Sequence, residues 1–401
     1  MSAHTSNPSA SRSSTDHSSH PDSTSAETHE AQRKQAEDTY HQTLVDLGVF
    51  WLTECAKTGW TPADLRHEFT CQIDPLLFHA LSTVTCAVPD ELLDYWFAET
   101  YPGNLRAISV SSLEKIVRRL PLLPPLKDWR LLDRIQLHDD DYLRLLSPTQ
   151  RKAHDRILSL LKKAESTTFE KEAEALVEKA ESLRQQYRIE DLLTGSYSGS
   201  SDSGTVVSHR IRLHAPWVNY QMRLLGTIAH ANSCTTVLLT KSGIATVFGS
   251  TDDVEHVSDL FTSLNRQRGY FMQTSAGAKT AQEQNQTSSY RRSFMVAYAS
   301  QVGVLLKRAA QNVMDNLENS APSAPDAVIL VLEKRLQCAR GTMNSVFPNT
   351  RAMSISANNL LGFHDGREAA SKSHFSGDSS GLFGQRQLTG GNAGGDFPTY
   401  H

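Results

Sequence analysis

The side chains best equipped for chemistry in this chain are two pairs of adjacent cations and a few histidines beside carboxylates. Arg291 and Arg292, within Tyr290-Arg291-Arg292-Ser293-Phe294, enter a long amphipathic stretch in which Lys307 and Arg308 repeat the pairing. Neighbouring guanidinium groups suit phosphate or carboxylate recognition, because each offers a planar fork of N–H donors. These four residues are the candidate nucleic-acid or anion contacts. His364-Asp365 is the candidate acid–base pair. Adjacent residues on a helix point about 100° apart, so the two are not expected to bond as a catalytic dyad. An enzyme would need a cleft in which the fold gathers His214, His230, Arg292, His364 and Asp365.

Other constellations give weaker chemistry. His67-Glu68-Phe69-Thr70-Cys71 has the outline of a helical zinc motif, but the second ligand position holds Cys71 and no third ligand is evident. No metal site and no cofactor is therefore expected. His138-Asp139-Asp140-Asp141 reads as caps and solvated loop. Gly249-Ser250-Thr251-Asp252-Asp253 follows a strand and opens a helix, yet its two carboxylates would repel a phosphate, and helix capping explains it better. Arg292 also has a structural alternative, pairing with Asp252, Asp253 or Glu255.

The elements that must position these residues begin after a tail. Of 401 residues, 39% are hydrophobic, enough for two or three small domains. Residues 1–38 are rich in Ser, Thr, His and Pro and are expected to be a disordered tail. Residues 39–150 read as a helical N-terminal domain. Its first helix carries Leu44, Leu47, Phe50, Trp51 and Cys55, stops at Gly59, and is followed by Thr61 as cap, Pro62 at the first helical position and Asp64 in the first turn. As a helix-turn-helix reader the second helix would offer only Arg66 and His67. Leu120-Pro121-Leu122-Leu123-Pro124-Pro125 reads as an extended connector.

Residues 151–194 form an αα-hairpin. Ile157, Leu160, Leu161 and Ala164 make one apolar stripe, Ala173, Leu176, Val177, Ala180 and Leu183 the facing one, and Thr167 with Glu170 a capping box between them. The run Ile157, Leu160, Leu161, Ala164, Thr167, Glu172, Ala173, Ala180, Leu183, Tyr187 and Ile189 resembles the family known as domain of unknown function 2786, found in actinobacterial and phage proteins. The resemblance covers about a tenth of the chain. Residues 217–309 resemble, more loosely, the companion domain of unknown function 7168, through the Trp217/Leu224/Ala229 helix, Val247-Phe248-Gly249 and the Tyr290 to Phe294 run. Neither resemblance brings an activity or catalytic residues to carry over.

A Gly/Ser linker at 195–208 precedes an α+β domain at 209–375. A strand at 209–214, a helix at 217–231 and two strands about Lys241-Ser242-Gly243 come first. Helices follow, one on Val254, Val257, Phe261 and Leu264 and a long one on Phe294, Tyr298, Val302 and Leu305 after a polar stretch at 275–288. Residues 209–318 are the part that resembles the companion family, 326–375 a helical extension, and 376–401 a second disordered tail. The expected fold class is a helix-dominated α+β protein: an N-terminal helical unit, the αα-hairpin, then a small, mostly antiparallel sheet with helices on one face.

The formal net charge is −4, but residues 205–375 carry an excess of roughly six positive charges. Nothing resembles a signal peptide or a membrane span, and five cysteines without a C-x-x-C pair suit buried free thiols in a reducing compartment. The expectation is a cytoplasmic, non-enzymatic binding or scaffold protein that contacts nucleic acid through its basic C-terminal half. The alternatives are an enzyme with its site in 209–375 and a protein-interaction adaptor that uses the hairpin face.

Overall fold

In a computed structural model of the chain, residues 22–132, 206–320 and 324–373 are described, together with single positions between 152 and 183. The N-terminal unit packs α1 (Asp22–Lys57), α2 (Pro62–Phe69), α3 (Asp74–Thr85), α4 (Asp90–Glu99) and α5 (Val110–Arg119) around Val45, Leu52, Trp60, Leu76 and Trp96. Helix α1 begins at Asp22, which corrects the expected tail for residues 22–38. That stretch has no apolar face to bury, but Ala, Glu, Gln, Arg and Lys favour helix locally, and Arg33 pairs with Glu37 one turn on at 3.0 Å.

The buried face of α1 is also rotated from the expected one. Leu44 and Cys55 are in the core, as are Val45, Leu52 and Ala56, whereas Leu47 and Phe50 are exposed. Gly48 explains the rotation, because a Cβ there would meet Leu76 Cδ2 at 2.9 Å; the bare backbone lets α3 press on that side. The predicted start of α2 is present in full: Thr61 and Asp64 exchange side-chain and backbone bonds as a capping box, with Pro62 in the first turn. Gly59 before it adopts φ +99°, a conformation that disfavours any Cβ. The proline-rich connector starts as a 3-10 turn at Leu120–Leu122 and then lies across Trp60, whose indole N–H donates to Pro124 O at 2.9 Å.

The second unit is built on a three-stranded antiparallel sheet in the order β1 (Val207–Arg212), β3 (Ile244–Gly249), β2 (Thr235–Leu239). Arg210 lies opposite Thr246, and Leu239 opposite Ile244 around the expected turn. Around it pack α6 (Val218–Ala231), α7 (Thr251–Thr274), α8 (Ala276–Glu283), α9 (Thr287–Ser320), α10 (Ala324–Val346) and α11 (Leu360–Ser371). The fold is thus α+β with helices dominating. Helix α8 lies within the polar stretch at 275–288; its buried side is only Gly277 and Ala281, too small a stripe to show a period. Strand β1 begins at Val207, inside the segment read as linker.

Both faces of the sheet are covered, which corrects the expectation of helices on one side. Alternation along a strand sends successive side chains to opposite faces. Ala245 and Val247 of β3 face the core of their own unit, whereas Ile244 joins the core of the N-terminal unit and Phe248 meets Phe347 at the end of α10. On β1 the same alternation turns Ser208, Arg210 and Arg212 toward the N-terminal unit. Arg210 forks onto Asp128 (Nε to Oδ2 2.9 Å, Nη2 to Oδ1 2.7 Å) while its Nη1 donates to Asp64 Oδ2 and Gly59 O, each at 2.7 Å. Arg212 adds a second guanidinium on Asp64, Nη2 to Oδ1 at 2.8 Å. Burial alone would push Asp64 up, but the Arg212 and Arg210 charges outweigh it and hold the carboxylate below its usual range.

Two features of the sequence acquire a new meaning here. The Arg210-x-Arg212 face of β1 is the polar joint between the two units. Part of the basic excess of the C-terminal half is therefore cancelled by acids of the N-terminal half. Beside the joint, Thr61, Glu99, His209, Arg210 and Arg212 line a cavity of about 20 Å³, sized for about one water and for no organic ligand.

At the hairpin, the described positions Lys152, Arg156, Ser159, Leu160, Lys163, Lys179 and Leu183 are helical, with the cations exposed and the two leucines half-buried. The Thr167–Glu170 capping box and His138 to Asp141 lie outside the described residues. All five cysteines are free thiols, but only Cys55 and Cys234 are buried; Cys71, Cys86 and Cys338 are exposed. Burial pushes Cys55 up to about 12.

Candidate functional site

Helix α9 places the predicted cations. Its core stripe runs Tyr290, Phe294, Tyr298, Val302 and Leu306, all buried, and the three rings stand 6.0 and 6.2 Å apart. A four-residue step advances only about 40° around a helix, so this ladder fixes one side of α9 against the core. Arg291 and Arg292 are half-buried beside its start, Lys307 and Arg308 exposed beside its far end. Arg292 does not take the acids offered to it as a structural alternative: Arg335 of α10 is the arginine at Asp253, 3.4 Å away.

The two cation pairs are not one patch. Arg292 and Lys307 are about 23 Å apart along the axis. The structure supplies the group between them. Helix α6 runs beside α9 in the same direction, with Arg223 Nη2 on Ser300 Oγ at 3.4 Å and Thr227 against Gly303, where a Cβ would come within 2.8 Å. Arg292 and Lys307 lie about 80° and 20° from Ser300 around α9, on the side where Gly303 meets α6, whereas Arg308 lies about 80° to the other side, some 160° from Arg292, and Arg291 about 180° away. Arg292, Arg223 and Lys307 therefore form a track along the α6/α9 seam, with exposed His230 one turn beyond Thr227. None of the three has an ion-pair partner among the described residues. Arg223 sits in the sequence as one scattered cation among many, and only helix pairing gives it this place.

The alternative pocket residues do not gather. His214 stands ahead of α6 and packs edge-on against His67 of α2, ring centres 4.8 Å apart. His230 is in the last turn of α6, about 20 Å further along. His364 and Asp365 ride on α11, which packs on α9 along a different side. Their approach is close because Gly362 and Gly366 lack a Cβ where Tyr290 O and Phe294 O lie.

Within α11 one expectation is corrected. His364 Nδ1 lies 3.3 Å from Asp365 Oδ1, although the residues are adjacent. The 100° step sets the direction of the Cα–Cβ bonds only, and rotation about the side-chain torsions brings the ring back to the carboxylate. Asp365 is nonetheless occupied: its Oδ2 accepts Tyr290 OH at 2.7 Å and Gly277 N–H at 2.8 Å. Burial, then the Asp365 hydrogen bond, push Tyr290 up. This carboxylate caps the first turn of α8 and ties three helices together. His364, Asp365 and Glu368 bring three ligand atoms within 4.8 Å of one another, a set that could hold a metal. Lys372 Nζ already sits on Glu368 at 2.7 Å, and an ammonium there opposes a second cation.

The remaining motifs are structural. Arg66 is bound to Asp74 at 2.5 Å and to Glu99 O, and lies over the Tyr101 ring, so α2 has no free reading side chain. His67 is pushed down by burial and by His214. Ser250 opens α7, but its hydroxyl donates to Asp253 Oδ2 at 2.7 Å and makes no cap to the backbone.

Residues 152–191 match the family described as protein of unknown function (DUF2786). No curated protein and no solved structure matches the chain. Among the described residues no helix is long and apolar enough to cross a membrane.

Proposed function

We propose that the protein is a non-enzymatic binding protein whose α6/α9 face contacts the phosphate backbone of nucleic acid. The observation that supports it is the track of Arg292, Arg223 and Lys307, three cations with no carboxylate partner among the described residues. About 23 Å of track matches roughly seven base steps at 3.4 Å per strand, so contact would be to backbone charges and not to a single group. The actinobacterial and phage resemblance and the reading of 217–309 as the companion domain of unknown function 7168 belong to this proposal. So does a cytoplasmic location, which suits the exposed free thiols Cys71, Cys86 and Cys338.

The test is fluorescence anisotropy of the full chain with random single- and double-stranded DNA and RNA, titrated with salt. Saturable binding whose affinity falls steeply with salt is expected. No binding at low salt sinks the proposal. The contact between His364 and Asp365 favours one second reading, an enzyme using an exposed imidazole as general base. It would require a substrate surface on α11. A protein adaptor working through the 151–194 hairpin is the third.

A further inference from the structure

One tryptophan of this chain is placed unlike the others. Trp60 and Trp96 are buried in the core of the N-terminal unit, and Trp51 and Trp129 pack against it. Trp217, at the start of α6, is half-buried and packs on neither core among the described residues. Its backbone stands at φ +78°, the left-handed region that a bulky side chain rarely adopts. It also leaves α6 without a side-chain cap at the position where Ser, Thr, Asp or Asn would supply one. Outliers of this kind concentrate where a side chain is presented for function. The presentation is firm. Buried Gln221 donates to His214 O at 2.6 Å and to Pro216 O at 3.2 Å, the Tyr220 and Gln221 N–H groups donate to Trp217 O, and the Tyr220 ring meets the indole edge-on, centres 5.8 Å apart.

The indole belongs to one end of the cation track. Helices α6 and α9 touch at Thr227 and Gly303 and run in the same direction. From Thr227 back to Trp217 is about 15 Å along α6, and from Gly303 back to Arg292 about 17 Å along α9, so Trp217 and Arg292 stand level. Cations that follow a phosphate backbone, ending at an aromatic side chain, are the parts of a single-strand site, because every base has a π-face to stack and a duplex keeps those faces inside its own stack. Resting on the reading of the α6/α9 seam as a phosphate track, we propose that the strand it takes is unpaired and that Trp217 is the platform on which one of its bases stacks. An indole beside cations suits DNA and RNA alike, so both enter the test.

The test is anisotropy of the full chain with labelled oligothymidylate, oligouridylate and a mixed-sequence duplex of the same length. Wild type is expected to bind the single strands about tenfold tighter than the duplex at one salt concentration. Trp217→Leu should lose about tenfold on the single strands while its duplex affinity and salt slope stay at the wild-type values, since the phosphate contacts remain. Trp217→Phe keeps a stacking ring and should keep most of the affinity. Tryptophan emission of wild type should fall as unlabelled oligothymidylate is added and should stay level in Trp217→Phe, a readout that decides the matter even where the Leu variant does not fold. Equal wild-type affinities for single strand and duplex, wild-type single-strand binding by Trp217→Leu, or undiminished quenching in Trp217→Phe overturns the platform and leaves the track standing. Binding of neither form by wild type overturns both.

Discussion

Arg210 and Arg268 are buried arginines of the same unit, and they are treated in opposite ways. Arg210 on β1 reaches two carboxylates and a backbone carbonyl, with a side chain only 2% exposed. Arg268 on α7 has two shielded nitrogens with no acceptor among the described residues. The difference separates two uses of positive charge in the C-terminal half. At the β1 joint, cations and acids from distant segments complete one another and hold two units together. Along α7, α9 and α6, Arg268, Arg292, Arg223 and Lys307 have no carboxylate partner among the described residues. The basic excess of the sequence includes both populations, which is why it is a weak guide to function.

The sharpest test of the first population is to break the Arg210 fork. Asp128→Ala should lower stability by about 3 kcal/mol in chemical denaturation, because it strips the buried Nε and Nη2 of their acceptors while Asp64 and Gly59 O still hold Nη1. A loss near zero would remove the distinction between the two arginines. Acid should loosen the other face of the same strand. His209 on β1 faces Ser258 Oγ at 3.2 Å, and burial first, then Arg212, bring it down to about 4 against the opposing pull of Asp64. Its neutral form is the one the fold prefers. The contribution is complete above the unfolded value near 6.5 and is lost as pH falls from there toward 4, about 3 kcal/mol in all. Glu99, pushed up by burial, works in the opposite direction. Denaturation of wild type and His209→Gln at pH 7, 5.5 and 4 should show the variant losing less; parallel losses would mean that another group governs.

The smallest effect on stability is expected at the second population. Joint replacement of Arg223, Arg292 and Lys307 by alanine should change stability by under about 0.5 kcal/mol per site, while the salt dependence of nucleic-acid binding flattens by roughly one unit of slope for each lost phosphate contact. A large drop in melting temperature would place these cations with Arg210 among the architectural ones.

Much of the local structure was legible in the chain. Thr61, Pro62 and Asp64 announced α2, Lys241 to Gly243 the hairpin turn, and the spacing of Val254, Val257, Phe261 and Leu264 the helix α7. Each of these signals is short-range, a cap, a turn or a period set by backbone geometry within a few residues. Helix α8 was missed because two small residues make no visible stripe, and the rotation of α1 because nothing in its own sequence says that α3 will press on Gly48. The candidate site was legible as residue types but not as a place: Arg291 and Arg292 look equivalent, and only the packing of α6 sets Arg292 on a track with Arg223 and Lys307.

By itself the sequence determined where the strongly patterned strands and helices lie, such as the β2–β3 hairpin, α2 and α7, since alternation, caps and helical spacing are properties of a single element. It did not determine what covers each face. Arg210 and Asp64 stand 146 residues apart, and a strand face carrying two arginines has the same pattern whether it meets water or two buried carboxylates. Only tertiary structure brings the partner charges, and so it alone decided that β1 is a joint and that Asp365 is a helix cap bonded to Tyr290.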